Sequence, residues 1–306
     1  MKRLTPCLLA IVILLSACGN SQSAGDQDQS NSKKENTRIY QSENGPVKVP
    51  KHPKRVVVLS SFAGNVISLG VNVVGVSKWA KSSPVLKDKV KDAEAVSDQN
   101  LEKIIELNPD LIIGLANTKN VDKLKQIAPT VTYTYGKLDY LEQHIAIGKL
   151  LNKEEQAKKW VADFKKRAGE LGEQVKEKIG QDATVSVFEK FEKQFYVFGE
   201  NWGRGTEILY QAMDLKMPKN LQKATKEKGY QLISAETLPK YSGDYIIFSQ
   251  TPGTDNSFQN TETYKNIPAV KKGHVIKVNG SAFYFNDPIS LDYELGVFKQ
   301  AFLGGK

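Results

Sequence analysis

Eight apolar residues in the middle of the chain, Ala157, Trp160, Val161, Phe164, Ala168, Leu171, Val175 and Ile179, recur at spacings of three and four. At 3.6 residues per turn they share one stripe of a single helix, whose remaining surface is Lys, Glu and Gln. From Lys153 to Ile179 this helix is about 40 Å long at a rise of about 1.5 Å per residue. An element of that length, midway along 306 residues, can act as a strut between two bodies. A coiled-coil partner is the competing reading, but the stripe lasts fewer heptads than a sustained coiled coil needs. Asp139 with Glu142 has capping-box spacing for a helix running to about Leu151, and Asn152 with Glu155 has it again for the long helix.

On both sides of the strut, short apolar runs alternate with helical patterns. Arg55–Leu59, Val73–Val76, Leu111–Ile113 and Thr130–Tyr133 read as strands, separated by helices over Phe62–Leu69, Asn100–Leu107 and Val121–Ile127. After Gly180 the pattern returns. Thr184–Phe188, Phe195–Phe198, Tyr245–Phe248 and Val275–Val278 read as strands, and Gly205–Met213 and Ser234–Tyr241 as helical. The expected fold is α/β: a lobe over residues 38–151, a connecting helix over 152–180 and a second lobe over 181–306. The stretch Asn100–Ile113 aligns without a gap to Ser234–Ile247, each with a helix-start residue, a glutamate two places on, a turn, an aspartate and an apolar strand. This match suggests two related lobes and places Glu102 and Glu236 at equivalent positions on opposite lobes.

The first residues address the compartment. Lys2 and Arg3 precede an apolar run from Cys7 to Leu15, too short to span a bilayer, and Leu15-Ser16-Ala17-Cys18 resembles the lipobox of bacterial lipoproteins. Residues 1–17 read as a signal peptide and Cys18 as the acylated N-terminus. Residues 18–37 then form a polar tether; an ordinary signal peptide containing a cysteine is the alternative. Loss of Lys2 and Arg3 takes the net charge from +9 to +7. The lysines are interleaved with acids, and no Arg-rich run or aromatic motif points to nucleic acid. With Cys7 removed and Cys18 acylated, the folded body has neither disulfides nor thiolate metal sites.

There is no G-x-S-x-G elbow, P-loop or H-E-x-x-H. His52, His144 and His274 lie far apart without metal-ligand spacing, so no protein metal site is expected. The informative stretch is Phe195-Tyr-Val-Phe-Gly-Glu-Asn-Trp-Gly-Arg-Gly205, where a strand ends in a glycine-rich turn before a helix. Gly203 and Gly205 permit a sharp turn and close ligand approach. Arg204 between them is expected to have donors free for ligand oxygens, against the plainer reading of a surface turn whose Trp202 packs on the lobe. In Phe283-Tyr284-Phe285 at least one ring should be exposed or in a cleft, and Tyr284 is favoured. Asn286-Asp287-Pro288 reads as a turn and helix start. Phe62, Trp79 and Tyr135 fall just past strand ends, where open α/β sheets bind ligands, although rim packing fits them as well.

Lys51-His-Pro-Lys-Arg-Val-Val-Val58, Asn108-Pro-Asp-Leu-Ile-Ile113, Ile127-Ala-Pro-Thr130, Trp202-Gly-Arg-Gly205 and Asn286-Asp-Pro288 resemble the siderophore-binding lipoproteins of Gram-positive ABC importers, which are substrate-binding proteins of the helical-backbone class. The likeness is greatest to those for ferric hydroxamates such as ferrichrome and ferrioxamine. It implies two lobes joined by one long helix, a shallow cleft between them and small lobe motion. It implies a non-enzymatic, monomeric receptor without a cofactor, lipid-anchored at the outer face of the cell membrane. Its partners would be a ferric hydroxamate and the permease dimer of an ABC importer. Carried over by residue, Arg204 would donate to the hydroxamate oxygens, with Trp202 and Tyr196 beside it. Tyr135 and Phe62 would contribute from the first lobe and Tyr284 from the second. Glu102 and Glu236 would dock on permease arginines, though either could equally serve its own helix dipole. Leu115 and Phe62 replace tyrosines found in some relatives. A tris-hydroxamate carries little net charge and suits an aromatic site with few cations. A catecholate would call for clustered Arg or Lys, and haem for an axial ligand. A receptor for another iron chelate (a catecholate or carboxylate siderophore, or haem) and a surface enzyme processing the siderophore are the alternatives.

Overall fold

The computed structural model describes residues 36–304; the signal peptide, Cys18 and most of the tether lie outside them. A hairpin of β1 (Thr37–Ser42) and β2 (Gly45–Pro50) leads into a parallel sheet of β3 (Val56–Val58), β4 (Val73–Val76), β5 (Glu94–Ala95), β6 (Leu111–Leu115) and β7 (Thr130–Tyr133). Its order is β5-β4-β3-β6-β7, with α1 (Ala63–Ser68), α2 (Lys78–Ser82), α3 (Leu101–Glu106) and α4 (Val121–Ile127) as crossovers. The order reverses between β3 and β6, and ligands of open α/β sheets sit past the strand ends at such a point. Phe62 follows β3 there.

Next come α5 (Tyr140–Leu150) and α6 (Glu154–Ile179). The second sheet has the order β10-β9-β8-β11-β12, from β8 (Val185–Phe191), β9 (Gln194–Phe198), β10 (Tyr230–Ile233), β11 (Tyr245–Gln250) and β12 (Val275–Asn279). Here β8, β11 and β12 are parallel, while β9 and β10 run antiparallel to their neighbours. The helices of this lobe are α7 (Lys219–Thr225), α8 (Leu238–Tyr241), α9 (Glu262–Lys265), α10 (Pro268–Lys271) and α11 (Pro288–Leu303). Two α/β lobes joined by a long helix are therefore the architecture. No helix among the described residues is long and apolar enough to cross a membrane.

The stripe on α6 is shared between lobes. Ala157 sits in the first lobe's core with Val56, Val58 and Ile113, whereas Val161, Phe164, Ala168, Leu171 and Val175 lie in the second lobe's core with Val187 and Ile247. A side chain on Gly172 would collide with the Met213 backbone, so this glycine sets how close α6 lies to the second lobe. The capping box of Asp139 and Glu142 is formed. That of Asn152 and Glu155 is not: α6 starts from Lys153 with no side-chain cap. Asn152 instead takes φ +58° at the end of α5, where Lys153 N–H reaches the Gly148 carbonyl and Asn152 N–H that of Lys149. That pair of bonds is a Schellman motif, and a left-handed Asn serves it well. Two expected helices are tighter or wider than α: Glu207–Ala212 is π-helical, and a 3₁₀ turn at Ala235–Thr237 precedes α8.

The internal match has a structural counterpart. β6 and β11 occupy the same place in their sheets, each beside the lobe's first central strand. The aligned aspartates do one job twice. Asp110 accepts from the N–H groups of Lys54 and Arg55 ahead of β3, and Asp244 from the N–H and hydroxyl of Thr184 ahead of β8. These bonds hold the Asp244 carboxyl below its ordinary range, chiefly through the Thr184 backbone N–H. Asp110→Ala and Asp244→Ala should each lower stability by about 1–2 kcal/mol, measured by urea denaturation at neutral pH. For Asp244 the deficit should shrink as acid protonates the wild-type carboxylate, because a depressed acid contributes only above its folded-state pKa.

Candidate binding cleft between the lobes

Gly203, Arg204 and Gly205, between β9 and the π-helical stretch, are all left-handed, with φ of +70°, +61° and +79°. Glycine accepts this freely; for Arg204 it costs about 1–2 kcal/mol, so the surroundings must hold the loop. Arg204 N–H donates to the Phe283 carbonyl at 2.6 Å, Trp202 N–H to the Thr206 hydroxyl at 3.0 Å and Gly203 N–H to the buried Glu207 carboxylate at 3.0 Å. A Cβ on Gly203 would stand 2.9 Å from the Tyr284 carbonyl oxygen. The loop thus lies backbone to backbone on the segment 283–285.

That segment joins the lobes. Phe283 is buried in the second lobe's core and Phe285 in the first lobe's, while Tyr284 between them is half-buried. Asp287 caps α11 with Pro288 in its first turn, and a Cβ on Gly64 of α1 would overlap its carboxylate. The lobes therefore meet tightly behind the cleft.

The expectation that Arg204 has free donors needs correction. Nε and Nη2 lie 3.0 and 2.9 Å from Oε2 of Glu189, a buried residue on β8, and Nη1 donates to the Trp202 carbonyl at 3.2 Å. The guanidinium is also within reach of the rings of Phe198 (4.8 Å) and Tyr284 (4.6 Å). Its side chain remains 16% accessible. The partner is fifteen residues away and arrives only when β8 pairs with β9, so the local sequence does not announce it.

Around this arginine runs a row of rings drawn from both lobes. Tyr135 meets Trp202 edge-on at 6.0 Å, Trp202 meets Tyr230 at 4.7 Å, Tyr230 meets Tyr196 at 6.1 Å and Tyr196 stacks on Phe198 at 6.2 Å. Beyond Arg204, Tyr284 packs on Trp79 at 5.2 Å. Tyr135 and Trp79 come from the first lobe and are 54% and 55% exposed. The structure thus brings together Arg204, Trp202, Tyr196, Tyr135 and Tyr284. Phe62 is buried against Tyr133, yet it lines a cavity of about 340 Å³ with Tyr135, Gln143, Glu207 and Asn286. Tyr230 and Glu189 were not foreseen. Among the described residues no cluster of three or more His, Cys, Asp or Glu is arranged to hold a metal ion.

Residues 56–282 match the family described as periplasmic binding protein. The chain belongs to the periplasmic binding protein family. The iron(3+)-hydroxamate-binding protein FhuD of Bacillus subtilis is 41% identical over 299 residues, spanning 94% of this chain and 93% of its own. The FhuD protein from S. pseudintermedius superposes with a TM-score of 0.81 at 40% identity, over 88% of this chain and 99% of its own. FhuD2 from Staphylococcus aureus with bound ferrioxamine B gives 0.78 at 39% identity, over 82% and 98%.

In this periplasmic binding protein, Glu102 and Glu236 are both exposed, at the start of α3 and on the 3₁₀ turn before α8. Behind the cleft lie three further buried acids: Glu207, Asp287 and Glu294. Burial pushes Glu207 up despite its bonds from Gly203, Thr206 and Asn286, and pushes Asp287 to about 6. Glu294 is raised well above its ordinary value, first by burial and then by the charges of Glu207 and Asp287, and its Oε1 has no hydrogen-bond partner. An acid whose folded-state pKa is raised contributes fully below its unfolded value, 4.5 for Glu294, and loses that contribution as pH climbs toward the folded value. Glu294→Gln should therefore raise the thermal midpoint at about pH 7.5, with the gain disappearing near about pH 4.5. A gain that is constant with pH would show that the carboxyl is not held protonated.

Proposed function

We propose that this protein is a lipid-anchored receptor that captures ferric hydroxamate siderophores outside the cell and delivers them to an ABC permease for iron uptake. The observation that carries the reading is the aromatic row of both lobes surrounding one arginine whose charge is already balanced by Glu189. A ferric tris-hydroxamate is a neutral, compact body with apolar flanks and oxygens at its face. Rings supply area and stacking for such a body, and the guanidinium N–H groups left over from Glu189 supply directed donors held in a fixed orientation. A strongly anionic catecholate would meet little net positive charge at this point. The names of the relatives point the same way.

Cys18 would carry the anchor, with residues 18–37 as tether; Glu102 and Glu236 would face the permease. The tight contact of α1 with Asp287 and the shared stripe of α6 favour small lobe motion. Loading would thus be signalled by the rims of the cleft rather than by closure. The family's role as binding proteins supports a role in binding rather than turnover.

Three tests follow. Ferrichrome or ferrioxamine should quench tryptophan fluorescence of the mature domain, through Trp79 and Trp202, at sub-micromolar concentration; no change with any ferric hydroxamate would refute the assignment. Tyr135→Ala should weaken binding by about 1–2 kcal/mol without loss of stability, since its ring is exposed. This is a cleaner variant than Arg204→Ala, which also strands the buried Glu189. Cys18→Ala should release the protein from membranes into the medium, as seen by fractionation; retention at the membrane would remove the lipid anchor.

A further inference from the structure

A second groove opens beside the cleft, a volume of about 730 Å³ between the end of β9 and α7 with the turn that follows it. It shares Tyr135, Gly136, Glu200 and Asn201 with the 340 Å³ cavity and is walled on its inner side by Trp202. A ligand seated on Trp202 therefore has this groove at its edge. Lys219, Lys223, Lys226 and Lys228 line it. None of the four has an ion-pair partner among the described residues. Several lysines elsewhere are neutralised at short range, such as Lys158 by Glu154 and Glu155 at 3.0 Å, Lys176 by Glu173 at 3.0 Å and Asp214 at 3.2 Å, and Lys265 by Glu262 at 3.3 Å; what sets the groove apart is that four unpaired lysines line one concave volume. The acids in the groove are Glu200 and Glu227, so its lining is net positive by two charges.

We propose that this groove is a second binding subsite, one that takes a carboxylate carried on the periphery of the chelate. The assignment rests on the hydroxamate reading above and extends it. The ferric core needs no charge from the protein, and the site beneath it offers little. A pendant carboxylate is different: it lies within a Debye length of four ammonium groups, roughly 10 Å at 0.1 M ionic strength, where their field is not screened away. The protein would then rank hydroxamate chelates of identical core by the charge of their tails, favouring anionic over neutral and neutral over cationic.

Ferrioxamine B supplies the test, because its terminal amine can be left free, acetylated or succinylated, giving overall charges of about +1, 0 and −1 around one neutral iron core. Dissociation constants come from quenching of tryptophan fluorescence. In low salt the succinylated chelate should bind about three- to tenfold more tightly than the free amine, with the acetylated one between, and added salt should compress the series. Lys223→Gln with Lys226→Gln should narrow the spread to about twofold while leaving the acetylated chelate unchanged. Lys165→Gln with Lys166→Gln, which removes the same charge from the exposed face of α6, should leave the spread intact. Equal affinity for all three chelates would overturn the subsite and leave the hydroxamate assignment standing. Equal narrowing by both pairs of substitutions would also overturn it, by tracing the effect to overall charge. Failure of all three chelates to bind would overturn the hydroxamate assignment and the subsite with it.

Discussion

The loop Gly203–Gly205 lies with its backbone against the backbone of residues 283–284, and every feature of the cleft depends on that approach. Two glycines remove the Cβ atoms that would stand in the way. Arg204 accepts a left-handed backbone because its N–H is fixed by Phe283 and its guanidinium by Glu189. In return the arginine plane is set between Phe198 and Tyr284, and Trp202 is held where Tyr135 of the other lobe can reach it. The strain is local and is offset by an ion pair and stacking of larger size.

The same segment explains why the cleft has a fixed shape. Phe283 and Phe285 anchor consecutive turns of chain in the cores of opposite lobes, so Tyr284 cannot move unless both cores yield. Gly64 against Asp287, and a strut whose first turn belongs to one lobe and whose remainder belongs to the other, add to this. In the proposed role such a receptor would present its ligand rather than enclose it. The buried acids behind the cleft run the other way: Glu294, Glu207 and Asp287 cost stability at neutral pH, and only tight packing around them tolerates it.

Period and position made much of this legible. The α6 stripe and the alternation of strands and helices follow from spacing, the aspartates of the internal match from an ungapped alignment of the two halves, and the odd ring from three adjacent aromatics that cannot all face one core. What escaped was set by partners distant in sequence. Glu189 reads as one charge on an apolar strand until β9 folds beside it. Asn152 has the composition of a helix start but ends the helix before it, a choice decided by φ and not by residue type. The π-helical stretch after Gly205 has no period of its own to betray it. The hairpin β1–β2 is hard to read from the sequence although Asn44-Gly45 is a turn signal, because its strands alternate only weakly.

The most direct measurement is a crystal structure of the protein with a ferric tris-hydroxamate. The chelate should lie against Trp202, Tyr196 and Tyr284, with Tyr135 and Trp79 at its rim, Arg204 donating to hydroxamate oxygens while still paired to Glu189, and every bond to iron coming from the chelate. Iron ligated by a protein side chain, or a chelate seated away from Arg204, would contradict this placement.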